Sequence, residues 1–154
     1  MKKISSDFAQ RIDNIDWKQY DTAYGRADII SEQLKRLVCG DREIEMKAAH
    51  DLWCGLCHQH AYISSAALPA FPFLLEVLKV ADDEIAVEIL DIFFGFVGCS
   101  CPEDTKAKQD IWKRELRAKL TEQATFFSGL MTRDDEVISE LAESITENLI
   151  LYPS

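Results

Sequence analysis

From Ala27 onwards apolar residues recur at spacings of three and four, a period that predicts helices. Ile29, Ile30, Leu34, Leu37 and Val38 form the first stripe, and Gly40 closes it as a C-terminal stop. Asp41 then caps a second helix with the stripe Ile44, Ala48, Leu52 and Leu56, and with Ala49 and Trp53 beside it. Ser64 or Ser65 caps a third, which carries Leu68, Phe71, Leu74, Leu75 and Leu78. Pro69 and Pro72 fall in its first two turns, where a missing N–H costs little. A fourth helix runs from Asp82 to about Val97 and breaks at Cys99-Ser-Cys-Pro102. A fifth spans roughly Thr105 to Met131, with Ile111, Trp112, Leu116, Leu120, Ala124, Phe127 and Leu130 on its apolar side. Asp134 or Asp135 caps a sixth that ends near Leu151. Ahead of all these, residues 1–26 read as a leader. In it Phe8, Ile12, Ile15 and Trp17 form a short amphipathic turn or two, and Asp21-Thr-Ala-Tyr-Gly25 makes a turn. No run alternates apolar and polar residues as a hairpin would.

The helices repeat. Asp-Arg-Glu-Ile-Glu-Met-Lys-Ala-Ala-His from Asp41, Asp-Asp-Glu-Ile-Ala-Val-Glu-Ile-Leu-Asp from Asp82 and Asp-Asp-Glu-Val-Ile-Ser-Glu-Leu-Ala-Glu from Asp134 superpose without gaps, at offsets of 41 and 52 residues. Each copy is a cap, a glutamate in the first turn where the helix dipole favours it, and then an apolar stripe. Another helix precedes each one. Three helix pairs at this spacing match HEAT and armadillo units. The expected fold is therefore all-α: a short right-handed α-solenoid of about three HEAT-like helix pairs. Residues 27–154 form the repeat domain and the leader packs on the first repeat, in a single domain overall.

A family resemblance agrees with this. Ile15-Asp-Trp17, Ala23-Tyr-Gly25 with Ala27-Asp28, Leu52-Trp53, His58-Gln59, Tyr62 and Ala66-Ala-Leu-Pro69 followed by Phe73-Leu74 resemble a family of small bacterial HEAT-repeat proteins. That family has an "Asp-Trp … Ala-Tyr-Gly" leader ahead of a "Leu-Trp … His-Gln-Gly … Tyr … Ala-Ala-Pro-Leu" corner. The match covers about residues 13 to 90. It implies an interaction module, in some cases an immunity-type protein encoded beside a toxin gene, and it carries no catalytic residues to transfer. One departure is His60, which stands where glycine is usual.

Composition narrows the partners. The 154 residues hold 27 acidic and 17 basic side chains, a net charge of −10. Such a surface repels a phosphate backbone and suits a basic protein or a cation, so no nucleic-acid partner is expected. The N-terminus begins with lysines but lacks the apolar stretch of a signal peptide. The most apolar segment, Ile85 to Val97, is too short to span a bilayer and contains Glu88 and Asp91, so no membrane partner is expected either. An odd count of five cysteines with no export signal points to reduced thiols in the cytoplasm.

Several strings suggest chemistry. Cys54-Gly-Leu-Cys57-His58 matches the haem-attachment pattern, but that chemistry generally takes place outside the bacterial cytoplasm and Cys54 falls inside a helix phased by its neighbours. Zinc is the better alternative: Cys54, Cys57, His58 and Cys99 supply ligands of the right softness, with Cys101 and His60 nearby, although Cys-x-Cys is a poor match to a ribbon or finger. His50 and Cys54 are one helical turn apart, the spacing a thiolate–imidazole pair needs, yet no third orienting group or set of oxyanion donors is identifiable. No phosphate loop or nucleophile elbow is present. No enzyme activity and no cofactor are therefore expected.

Carboxylates give the sharper expectation. Glu84, Glu88 and Asp91 are the single polar stripe on a helix otherwise apolar almost all round, and Glu136, Glu140 and Glu143 are their counterparts at the offset of 52. Stacked second helices would present these six as an acidic ribbon, mixed at the other end, where the column reads Glu43, Lys47, His50, Cys54. Lys106 to Lys119, with six basic and two acidic residues, reads as the solvated side of the fifth helix. Combined with the resemblance, the expected function is a non-catalytic module that binds a basic protein, most concretely an immunity-type inhibitor neutralising a nuclease-like toxin. A zinc or thiol protein, or a scaffold subunit of a larger assembly, is the alternative.

Overall fold

The apolar period becomes helix along most of the chain. The computed structural model describes residues 3–57, 60, 62–103 and 110–153. Its helices are α1 (Phe8–Asp13), α2 (Asp28–Arg36), α3 (Arg42–Cys57), α4 (Ala67–Leu78), α5 (Asp83–Cys99), α6 (Ile111–Glu122), α7 (Ala124–Leu130) and α8 (Glu136–Leu151). Among the described residues the only strands are β1 (Asp21–Thr22) and β2 (Gly25–Arg26), an antiparallel hairpin pairing Asp21 with Arg26 and Thr22 with Gly25. Two residues per strand leave no alternation to read, which is why the pattern indicated only a turn there. Gly25, at φ +119°, closes the hairpin in a conformation that side chains rarely adopt.

Aspartate caps set three of the helix starts. Asp41 Oδ1 accepts the Glu43 and Ile44 N–H groups at 3.1 and 3.3 Å, Asp82 Oδ1 accepts Ile85 N–H at 3.2 Å, and Asp135 Oδ1 accepts Ile138 N–H at 3.0 Å. The first two copies keep their offset of 41, and Ala48, Ala49, Leu52 and Leu56 are buried just as Ile89, Leu90, Phe93 and Val97 are. The third copy does not keep 52. Its cap is Asp135 rather than Asp134, so Ile138, fully buried, takes the place of Ile85, and Val137 is left 49% exposed. Ser64 and Ser65 also depart from expectation. Neither side chain caps α4. Ser65 Oγ instead accepts the Asp21 N–H at 2.9 Å and ties the hairpin to the corner.

The core lies between two sets of helices. α5 packs between α3 and α8, α2 against α3 and α4, and α4 against α5 and α6. Phe93 is at its centre, with ring centroids 5.1 Å from Phe71, 5.8 Å from Phe96 and 5.9 Å from Phe127. The first residues pack on this body. Phe8 meets Phe73 edge-on at 5.7 Å, Trp17 Nε1 donates to the Ile12 carbonyl, and Arg11 pairs with both oxygens of Glu76 at 2.9 Å.

The expected fifth helix is two helices. Thr121 Oγ1 donates back to the Arg117 carbonyl and Gln123 N–H reaches only to Leu120, so the helix tightens and stops before α7 begins. The proposed start at Thr105, together with Lys106 and Lys108, lies outside the described residues. Ile111, assigned to the apolar side, is 66% exposed, and the supposedly solvated side contains the buried Lys113 and Arg117. Arg117 is 1% exposed. Its guanidinium donates to the carbonyls of Val97, Asn148 and Tyr152 and to Asn148 Oδ1, at 2.7 to 3.2 Å. A basic residue is stable there because it meets the negative C-terminal ends of α5 and α8. Burial pulls its pKa down from the ordinary arginine value.

Candidate functional site

The acidic stripe of α5 borders a groove. Met46 from α3, Asp83, Glu84, Val87 and Glu88 from α5, and the α8 cap Asp135 line a depression of about 290 Å³. Arg42 pairs with Asp82 across the α3–α5 seam and Arg133 with Asp83 at 3.1 Å, so the helix starts are pinned around it. Glu84 is exposed, and Glu88 and Asp91 are half-buried. No ion pair among the described residues neutralises Glu84, Glu88, Glu136, Glu140 or Glu143. Burial first, and the Asp91 charge second, push the Glu88 carboxyl above the usual range, while His50 works against them. Glu88 is a carboxylate held where a cation would be welcome.

The α8 carboxylates sit differently. With Asp135 as the cap, Glu136, Glu140 and Glu143 align with Asp83, Val87 and Leu90 rather than with Glu84, Glu88 and Asp91. One residue is roughly 100° around a helix. All three are exposed on α8, but the six residues do not make one column in register.

Next to the stripe is a cluster that the sequence did not reveal. His60 has φ +59°, the left-handed conformation that favours glycine. Its Nε2 is 3.2 Å from Trp53 Nε1, 3.2 Å from Asp91 Oδ1 and 3.2 Å from the Asp91 carbonyl. One nitrogen thus faces one N–H donor and two acceptors. In the tautomer without a hydrogen on Nε2 it accepts from Trp53, and in the other it donates to Asp91. The ring also meets Phe94 edge-on at 5.3 Å, and the Cys99 thiol donates to the His60 carbonyl. The sequence singled out His60 as a residue type. What it touches across 31 residues was not legible there.

Small residues let α3 and α5 meet. A Cβ on Gly95 would lie 3.0 Å from Cys57 Cβ, 3.0 Å from His60 Cδ2 and 3.1 Å from Cys57 Sγ. Cys57 is fully buried, and burial drives its thiol far above the ordinary range. It behaves as a small apolar side chain. Cys54, one turn earlier, is half-buried, and its sulfur is 3.5 Å from His50 Nε2. The His50 ring stacks on Trp53 at 5.9 Å and 24°, which supplies an orienting contact that the sequence did not disclose.

Among the described residues no three His, Cys, Asp or Glu side chains are arranged to hold a metal ion. His58, the third member of the zinc and haem readings, lies outside those residues. No described helix is long and apolar enough to cross a membrane. No family model, curated protein or solved structure matches the chain.

Proposed function

We infer that the chain is a non-catalytic protein-binding module, a short α-solenoid of HEAT-like helix pairs that holds a basic protein against the groove beside α5. The observation that carries this reading is Glu88, half-buried and without a cationic partner among the described residues, beside Glu84 and Asp91 over an apolar floor of Met46 and Val87. Bringing an arginine or lysine against these carboxylates relieves their mutual repulsion, and the net charge of −10 steers such a partner towards the surface. Glu136, Glu140 and Glu143 on α8 extend the acidic surface as a flank rather than as the same column. The resemblance supports the most concrete version, an immunity-type inhibitor that covers the active site of a cationic, nuclease-like toxin by standing in for its polyanion.

The test is calorimetric titration with the product of the adjacent gene. Wild-type chain is expected to bind, and the E84K/E88K variant to lose at least about a hundredfold in affinity, since like charges placed across an interface cost several kcal/mol. E136K/E140K should lose less. Equal affinity in wild type and E84K/E88K would remove the groove from the binding surface. No binding by wild type would remove the immunity version.

A further inference from the structure

The exposed rings of this molecule are gathered rather than scattered. Tyr24, Tyr62, Phe94 and Tyr152 are the exposed Phe, Tyr and Trp side chains among the described residues. The first three come from the hairpin, the corner after α3 and α5, and they end up at one place. The Tyr24 hydroxyl is hydrogen-bonded to Cys54 on α3 and lies within electrostatic reach of Tyr62. Cys54 Sγ is 3.5 Å from His50 Nε2, and from His50 the rings run on without a gap. His50 stacks on Trp53 at 5.9 Å, Trp53 meets His60 edge-on at 5.6 Å, and His60 meets Phe94 edge-on at 5.3 Å. Exposed apolar surface collected in this way marks a place of contact.

Carboxylates follow the row. Asp51 acts on Tyr24, Glu88 acts on His50, and Asp91 Oδ1 is 3.2 Å from His60 Nε2. Glu88, Asp91 and Phe94 recur every three residues on α5, as His50 and Trp53 do on α3. Glu88 also lines the groove described above, so rings and groove are one continuous surface. An apolar occupant would cover the rings but leave these carboxylates dehydrated and unpaired. A lysine would meet the charge, but its ammonium is compact and holds its water firmly. A guanidinium does both. It stacks flat on a ring, donates in its own plane to a carboxylate, and is weakly hydrated.

We propose that this row is the recognition centre for the basic partner and that it selects arginine over lysine. Trp53 is its anchor. The indole N–H lies 3.2 Å from His60 Nε2 and the His50 ring stacks against it, so the side chain is ordered before any partner arrives. Tyr62 and Phe94 are the exposed rings on either side of it. The inference rests on the basic-partner reading and adds which basic side chain is read, and where.

The test is titration of the full chain, at low salt, with blocked hexa-arginine and hexa-lysine peptides of equal charge. Wild type is expected to bind the arginine peptide about tenfold more tightly, the scale of one well-placed ring contact. F94L/Y62L keeps apolar bulk at two exposed positions and removes the rings, and its preference should fall to about threefold or less. W53L should lower it as well. E84K/E88K should weaken both peptides alike. Equal binding of the two peptides by wild type would overturn the selection of arginine and leave the basic-partner reading standing. A wild-type preference retained in F94L/Y62L would overturn the ring row as its source. Neither peptide binding to wild type would overturn both readings.

Discussion

Gly95 and Gly98 share one helix, and their surroundings predict opposite outcomes for the same substitution. At Gly95 a methyl group meets Cys57 and His60 at 3.0 Å, so G95A must push α3 and the corner away and should cost about 1–3 kcal/mol. At Gly98 nothing lies within 4 Å, and G98A should stabilise by up to about 1 kcal/mol through helix propensity alone. Urea unfolding of the two variants measures both. Glu88 behaves unusually for a carboxylate. Its folded-state pKa is raised, so between the unfolded and folded values the native chain binds more protons and stability falls as pH rises. At neutral pH the ionised group therefore works against folding. E88Q should melt higher than wild type at pH 7, and this advantage should vanish once the pH drops below the unfolded carboxyl range. A melting-temperature series from pH 4 to pH 8 follows it. An E88Q variant that is more stable but binds its partner less well would be the signature of a residue kept for contact rather than for folding.

At the scale of elements, the caps were legible and the third register was not. Asp41 and Asp82 could be read because a lone aspartate, or the first apolar residue behind it, fixed the phase. Asp134-Asp135 offered two caps one residue apart, and the stripe behind them fitted either choice until Val137 emerged exposed and Ile138 buried. D135A should destabilise by about 1 kcal/mol and D134A by no more than about 0.5 kcal/mol in denaturant unfolding. The long fifth helix failed for a different reason. Apolar spacing carried straight through Gln123, and the back-bond from Thr121 that ends α6 leaves no mark in a hydrophobic pattern. Arg117 was misplaced because a basic residue between lysines looks solvated, whereas its partners are carbonyls at the distant ends of α5 and α8. R117M removes those donors but keeps the bulk. It should cost about 3 kcal/mol, since buried carbonyls are left unmet, and thermal unfolding would detect it.

For the whole molecule, charge is as informative as shape. A net charge of −10 on 154 residues repels itself, and much of that charge is exposed on α5 and α8. Raising sodium chloride from about 10 mM to about 150 mM shortens the screening length from about 30 Å to about 8 Å, so the melting temperature should rise over that range. A flat response would mean that local pairs such as Arg11–Glu76 and Arg133–Asp83 already balance the field. The helical class was legible because it rests on period and composition. The candidate sites were legible only as residue types. The Glu88 stripe and the His50–Cys54 turn could be picked out, but the Tyr24, His60 and Asp91 contacts that give them meaning come from segments distant in the chain.

The close approach at Gly95 also has an evolutionary reading. The histidine ring at position 60 and the missing side chain at position 95 occupy the same space, so neither position can drift alone. A side chain at position 95 would need room given up by Cys57 as well as by the ring of His60. Positions 57, 60 and 95 should therefore covary across homologues, although 38 residues separate the first from the last.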